Sequence, residues 1–176
     1  AHPHDMRFYG RDSSLPNAGL ETLVGEDHFD QPKPGEGRYV SDAKVAEQIL
    51  EVAKGALQPT FIYAVTMENH GPWAPHGDAS TVSMVDNYNR HVLAGDAMLG
   101  RLREGLAELG RPATLVFFGD HRPTIPGARD PGGARHTPYV ILKTASGQHT
   151  SKEPPDRRDL TPAQLHRAIL DWGDKP

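Results

Sequence analysis

Cysteine is absent from the 176 residues, which excludes disulfides, thiolate metal sites and cysteine nucleophiles. The compartment stays open, because a cysteine-free chain survives either redox poise. No apolar run approaches the roughly 20 residues that cross a bilayer as a helix. Positive charge is not in excess either: 19 Lys and Arg stand against 23 Asp and Glu, a formal net charge of −4. Nucleic-acid binding driven by a basic surface is thereby excluded. Internal repeats are missing too.

What remains is an ordinary soluble composition, 36% hydrophobic and 24% charged, long enough for one domain with a real core. Eighteen Gly and sixteen Pro announce many loops, and ten His is a high count. Residues 1–41 are the most heavily punctuated, ending in Gln31-Pro32-Lys33-Pro34-Gly35-Glu36-Gly37, and read as loop. Helical spacing begins with Val45, Ile49, Val52 and Ala56, with Ser41 or Asp42 as N-cap and Pro59 as stop. The continuous apolar run Phe61–Met67 predicts a buried strand, apolar on both faces as parallel sheets require. A polar loop from Glu68 to Asp78 leads to a long amphipathic helix over 81–109, with a kink expected between Gly95 and Gly100 and a stop at Gly110.

Ala113–Phe118 reads as a second buried strand and Pro138–Leu142 as a third, with a Gly/Pro/Arg loop over 122–137 between them. After a charged linker from Lys152 to Arg158, Thr161-Pro162-Ala163-Gln164 is a capping box that opens the last helix. The order of elements predicts an α/β layer structure with a mostly parallel sheet. Three strands preceded by about forty loop-like residues make an incomplete example, so the chain reads as part of a larger domain.

Ligand sites of open α/β sheets gather at the carboxyl ends of strands, and two polar clusters fall there. Glu68-Asn69-His70-Gly71-Pro72-Trp73 follows the first strand, and Gly119-Asp120-His121-Arg122-Pro123 follows the second. Asp120 and His121 can offer an oxygen and an imidazole nitrogen to one divalent ion; alternatively, Asp120 caps a turn and His121 is a surface residue. His70 is either an acid/base or anion contact or a solvated loop histidine. Trp73 either stacks on a sugar ring or covers the core. His2, His4, Arg7 and Arg11, interleaved with Phe8 and Tyr9, can form a surface for phosphate or sulfate, or else a solvated terminus. Arg122, Arg129, Arg135 and His136 add positive charge near the second cluster, or serve solubility. Asp96 points to a site or lies on a solvated helix face. His28, His76, His91, His149 and His166 show no partner spacing.

The ordered set Thr66-Met67-Glu68-Asn69-His70-Gly71-Pro72-Trp73, a long helix, and Val116-Phe117-Phe118-Gly119-Asp120-His121 resembles the lipoteichoic-acid-synthase-like sulfatases and phosphoglycerol transferases of the alkaline phosphatase superfamily. The opening His2-Pro3-His4-Asp5-Met6-Arg7-Phe8-Tyr9-Gly10-Arg11 resembles that family's substrate-phosphate stretch. The resemblance covers most of residues 1–172. It implies an alkaline-phosphatase-like α/β/α sandwich, of which residues 1–176 are the C-terminal portion.

It further implies Asp120 and His121 as metal ligands, His70 as the substrate-site histidine, and His2, Tyr9, Arg11 and Trp73 as substrate-binding residues. The implied cofactor is a divalent ion (manganese, magnesium, calcium or zinc), which would activate a hydroxyl nucleophile and stabilise charge on the transferred group. The implied substrate is a phosphate- or sulfate-bearing glycan or glycerophospholipid, met outside the cytoplasm by a membrane-anchored parent. The family's nucleophile lies upstream of the opening motif, so Ser13, Ser14 and Thr22 are out of order for that role. The expected partners are therefore the missing N-terminal half or a second copy meeting it through sheet edges, and the expected activity of the chain alone is little or none. From the residues alone, a non-catalytic module that binds an anionic glycan remains the alternative.

Overall fold

The computed structural model describes residues 1–74, 80–128, 133, 135–144 and 156–173. His76, Asp78, Arg129, His149 and the Lys152 end of the charged linker lie outside the described residues. The chain divides into two compact units, residues 1–102 with 123–133, and residues 103–122 with 134–176.

In the first unit the expected loop over 1–41 contains a helix. After a single 3-10 turn at Phe8–Gly10, helix α1 runs over Arg11–Asn17. Tyr9 and Gly10 both adopt left-handed backbone (φ 58° and 59°), which turns the chain into α1. Asp12 sits in the first turn, where a negative charge suits the helix dipole. Pro16 costs this short helix only one internal hydrogen bond, which is why punctuation alone misleads here.

Helix α2, Asp42–Gly55, forms where the periodicity places it, with the Ser41 side chain accepting from the Lys44 amide. Val45, Ala46 and Ile49 are buried, while Val52 is exposed. Helix α3, Thr81–Glu108, runs unbroken through Gly95 and Gly100, where the sequence places a kink. Met98 and Leu102 are its buried residues among the core, and Gly110 ends it in left-handed conformation, its amide on the Ala107 carbonyl.

The expectation of a buried strand over 61–67 needs correction. Phe61 is 75% exposed and Tyr63 38%, and only Met67 is fully buried. The segment is extended but carries one rung of pairing: the Ala1 amine donates to the Tyr63 carbonyl and the Val65 amide donates to the Ala1 carbonyl. That alternation is the parallel pattern. Burial on both faces requires flanking strands and covering layers, and one rung does not provide them.

The second unit holds the sheet. Strand β1, Ala113–Phe118, pairs with β2, Tyr139–Thr144, from Ala113↔Thr144 to Phe118↔Tyr139. The pairing is antiparallel, so the mostly parallel sheet expected from the sequence is not what the described residues form. The Gly119 amide on the Pro138 carbonyl continues the pairing past β1, and the Thr144 hydroxyl donates to the Ala113 carbonyl at the other end. Helix α4, Pro162–Gly173, starts at a reciprocal capping box: the Gln164 amide donates to Thr161 Oγ1, and the Thr161 amide to Gln164 Oε1. The Tyr139 hydroxyl, on the Arg158 carbonyl at 2.9 Å, ties the approach to α4 onto β2.

Candidate functional site

The first unit gathers the opening motif around His2. This imidazole is 1% exposed, and its amide is held on the Val24 carbonyl. Nδ1 lies 3.1 Å from the Val65 carbonyl, which can only accept, so Nδ1 carries the proton. Nε2 is then the acceptor, and Arg11 Nη1 approaches it at 3.4 Å. Burial foremost, then the Arg11 and His4 charges, hold the His2 pKa below the ordinary histidine value against the opposing Val65 bond. Neutral His2 thus helps to aim Arg11, whose Nη1 also reaches the Phe8 carbonyl. The Arg11 guanidinium lies 5.3 Å from the centre of the Tyr9 ring, a ring 80% exposed on left-handed backbone. A non-glycine residue in that conformation is strained, a condition found often where a side chain is presented to a ligand.

A ladder of rings carries this cluster to the second motif. His4 packs on His2, Phe8 and Tyr39, and Tyr39 meets His70 edge-on at 5.8 Å. The Tyr39 hydroxyl donates to the Gly71 carbonyl at 3.3 Å, and His70 Nδ1 donates to the same oxygen at 2.8 Å. His70 is therefore in the Nδ1–H tautomer when neutral, which leaves Nε2 as its available nitrogen. The structure thus brings His2, Tyr9, Arg11 and His70 into one chain of contacts. Tyr39 is the link that sequence reasoning missed, since a lone tyrosine after a Gly/Pro-rich stretch has no motif. His4, named in the sequence only as one of four basic residues of an anion surface, is the other link.

Trp73 is half-buried. Its Nε1 donates to Asn69 Oδ1, its carbonyl accepts from Asn87 on α3, and its ring meets Tyr88 edge-on at 5.7 Å. A Cβ on Gly71 would stand 3.2 Å from that ring, so glycine permits the close turn. The loop is also held from beneath by Glu68, whose Oε2 accepts from the Asp42 amide at the start of α2. The sequence names Asp42 only as a possible N-cap and Glu68 only as part of the polar cluster, with no role at the site for either.

In the second unit, Gly119 turns the chain out of β1 and Asp120 and His121 follow. Both side chains are exposed, at 75% and 71%, with His121 Nε2 3.6 Å from Asp120 Oδ2. Asp120 Oδ1 accepts from the His121 amide, and His121 Nδ1 donates to the Arg122 carbonyl. That leaves Nε2 and Oδ2 as the free donor atoms to a cation. Two ligands at ~2.1 Å from one ion can stand up to ~4.2 Å apart, so the pair fits a shared ion. Among the described residues no group of three or more His, Asp or Glu side chains is arranged to hold a metal. Arg122 Nε donates to the His136 carbonyl, which fixes the turn that follows.

The sulfatase family description matches residues 1–172, and the chain belongs to that family. The chain is 35% identical over 171 residues to the capsular polysaccharide biosynthesis protein RkpI of Rhizobium meliloti, covering 96% of this chain and 32% of the relative. A putative cyclic beta-1,2-glucan modification protein of the same organism is 26% identical over 186 residues, covering 99% of this chain and 27% of the relative. The chain therefore spans a minor part of the curated relatives it matches. Its fold is similar to that of the Streptococcus pyogenes phosphoglycerol transferase GacH, solved in complex with sn-glycerol-1-phosphate. The TM-score is 0.63 at 20% identity, over 85% of this chain and 44% of GacH.

Proposed function

We propose that residues 1–176 are the C-terminal portion of a catalytic domain that hydrolyses or transfers phosphate or sulfate esters of capsular or other cell-envelope glycans, with phosphoglycerol transfer as the nearest chemistry. The observation that carries this reading is the aimed guanidinium: Arg11 is set by buried neutral His2 and flanked by the strained, exposed Tyr9. A guanidinium with unused N–H groups binds a phosphoryl or sulfuryl oxyanion through parallel hydrogen bonds. His70 supplies a second contact, through Nε2, to the anion or to a leaving oxygen, and Tyr9 offers a face to a sugar or glycerol.

Asp120 Oδ2 and His121 Nε2 are the atoms that would hold a divalent ion. When bound, it would lower the pKa of a hydroxyl and neutralise charge on the transferred group. The likeness to RkpI, a capsular polysaccharide biosynthesis protein, supports a glycan substrate. The glycerol phosphate bound by GacH supports a phosphate ester. The parent would meet such a substrate outside the cytoplasm. The nucleophile belongs to polypeptide not included in these 176 residues.

Calorimetric titration with Mn²⁺, Mg²⁺, Ca²⁺ and Zn²⁺, on this chain and on Asp120→Ala, tests the metal assignment. Binding that disappears in the variant is expected; binding that persists unchanged would refute it. The chain alone is expected to turn over no ester, and clear turnover lost in Asp120→Ala would overturn the assignment to a partial domain. A second reading, a metal-independent anionic-glycan module, draws on the exposed Tyr9 ring beside Arg11. Glycan affinity insensitive to both metal and Asp120→Ala would favour it.

A further inference from the structure

Three side chains with ionisable groups meet beneath the loop that carries His70. Asp42, the first residue of α2, is 3% exposed. Its amide is one of the helix donors that the helix itself leaves unpaired, and it donates to Glu68 Oε2 at 2.6 Å. The neighbouring free donor, the Lys44 amide, goes to the Ser41 hydroxyl. Glu68 Oε1 lies 4.0 Å from His91 Nδ1 on α3. The Glu68 carboxylate therefore bridges the start of α2 and the body of α3.

Glu68 also occupies the turn that presents His70, closed by the His70 amide on the Met67 carbonyl at 2.9 Å. Two residues on, the His70 ring closes onto the Gly71 carbonyl, which also accepts from Tyr39. We propose that Glu68 is a positioning residue for His70: its bond to the Asp42 amide fixes the turn that sets the His70 tautomer and frees Nε2 for a ligand.

The charges around Glu68 suit this role. The start of α2 contributes partial positive charge and His91 adds a cation when protonated, so Glu68 has stabilising neighbours. Asp42 faces the opposite situation, with its Oδ1 buried and without a hydrogen-bond partner among the described residues. Burial first, then the Glu68 charge, push the Asp42 pKa up to about 6 against the opposing Thr66 hydrogen bond. Acidification thus places a proton on the Asp42 side chain, not on the backbone amide that serves Glu68. Burial and the Arg90 charge lower the His91 pKa, while Glu68 raises it.

The test is imidazole ¹⁵N NMR of the full chain at about pH 8.5, where an ordinary histidine is neutral. Wild type is expected to show His70 as the Nδ1–H tautomer. Glu68→Ala removes the acceptor, and the single-tautomer signature should be lost. Glu68→Gln keeps an acceptor oxygen and should retain it, while the His91 pKa falls for want of the negative charge. Asp42→Ala keeps the amide donor and should also retain the signature, whereas Asp42→Pro deletes that donor and should lose it. Proline is geometrically compatible there, because it would be the first helical residue and Ser41 has ψ 149°.

A wild-type His70 in the Nε2–H form would overturn the proposal. So would a signature that survives both Glu68→Ala and Asp42→Pro in folded protein, or a signature that Glu68→Gln loses. Only the consequence for ligand binding rests on the function proposed above. Loss of the signature with unchanged affinity for sn-glycerol-1-phosphate would uphold the positioning role and refute His70 as a ligand contact.

Discussion

Replacing Asp42 by Asn removes a charge that the fold holds out of water. The carboxyl has an ordinary value of 3.8 and is pushed up to about 6 in the fold, chiefly by burial and then by Glu68. A difference of about 2.2 units at ~1.36 kcal/mol each gives ~3 kcal/mol as the upper bound of the cost of ionised Asp42 at neutral pH. The sign follows from proton counts. Between about 3.8 and 6 the folded protein binds more protons here than the unfolded chain, so stability falls as pH rises through that window. Asn keeps the amide donor to Glu68 and a carbonyl oxygen for Thr66, so the removed charge dominates. We expect Asp42→Asn to raise stability at pH 7.5 by about 2 kcal/mol, roughly 4–8 °C in Tm for a chain of this size. The gain should shrink as pH falls toward 4. Urea unfolding of both proteins at several pH values measures it. A loss of stability at pH 7.5, or a gain that does not change with pH, would refute the reasoning.

His2→Ala deletes a buried ring with bonds to Val65 and Arg11 and should cost about 2–3 kcal/mol in urea unfolding; an unchanged midpoint would show that the ring is not structural. His2 also opposes Asp42 in its pH dependence: with its pKa lowered by burial, its contribution is full above about 6.5 and declines as pH falls below that. His2→Gln should therefore weaken the loss of stability on mild acidification. Gly127→Ala combines a φ of +78° with a Cβ only 2.9 Å from Thr81 Oγ1, an atom committed to the Pro126 carbonyl. It should cost more than Gly19→Ala, which has φ +88° and open space around it; equal melting temperatures for the two would refute the contact. Thr161→Ala should cost about 1 kcal/mol through the lost α4 cap, visible as faster amide exchange in its first turn.

The residues alone determined whatever rests on local chemistry. Ser41 before a 3.6-residue apolar period made α2, Gly110 stopped α3, and Thr161 with Gln164 started α4, because caps and stops act within a few residues of the backbone they satisfy. The family, too, was legible, since it rests on ordered motifs along the chain.

What depends on distant neighbours was decided by the tertiary structure. The run Phe61–Met67 is as apolar as β1, but extended backbone becomes a strand only where other strands pair with it. The antiparallel partner of β1 was equally invisible, because apolar runs do not record direction. At the candidate site, the sequence singled out His2, Tyr9, Arg11 and His70 by residue type. Only the folded chain revealed that His4 and Tyr39 join them and that Glu68 anchors the His70 loop on the Asp42 amide. Contacts between residues tens of positions apart have no spacing in the sequence, and a backbone N–H acting as partner leaves no trace in it at all.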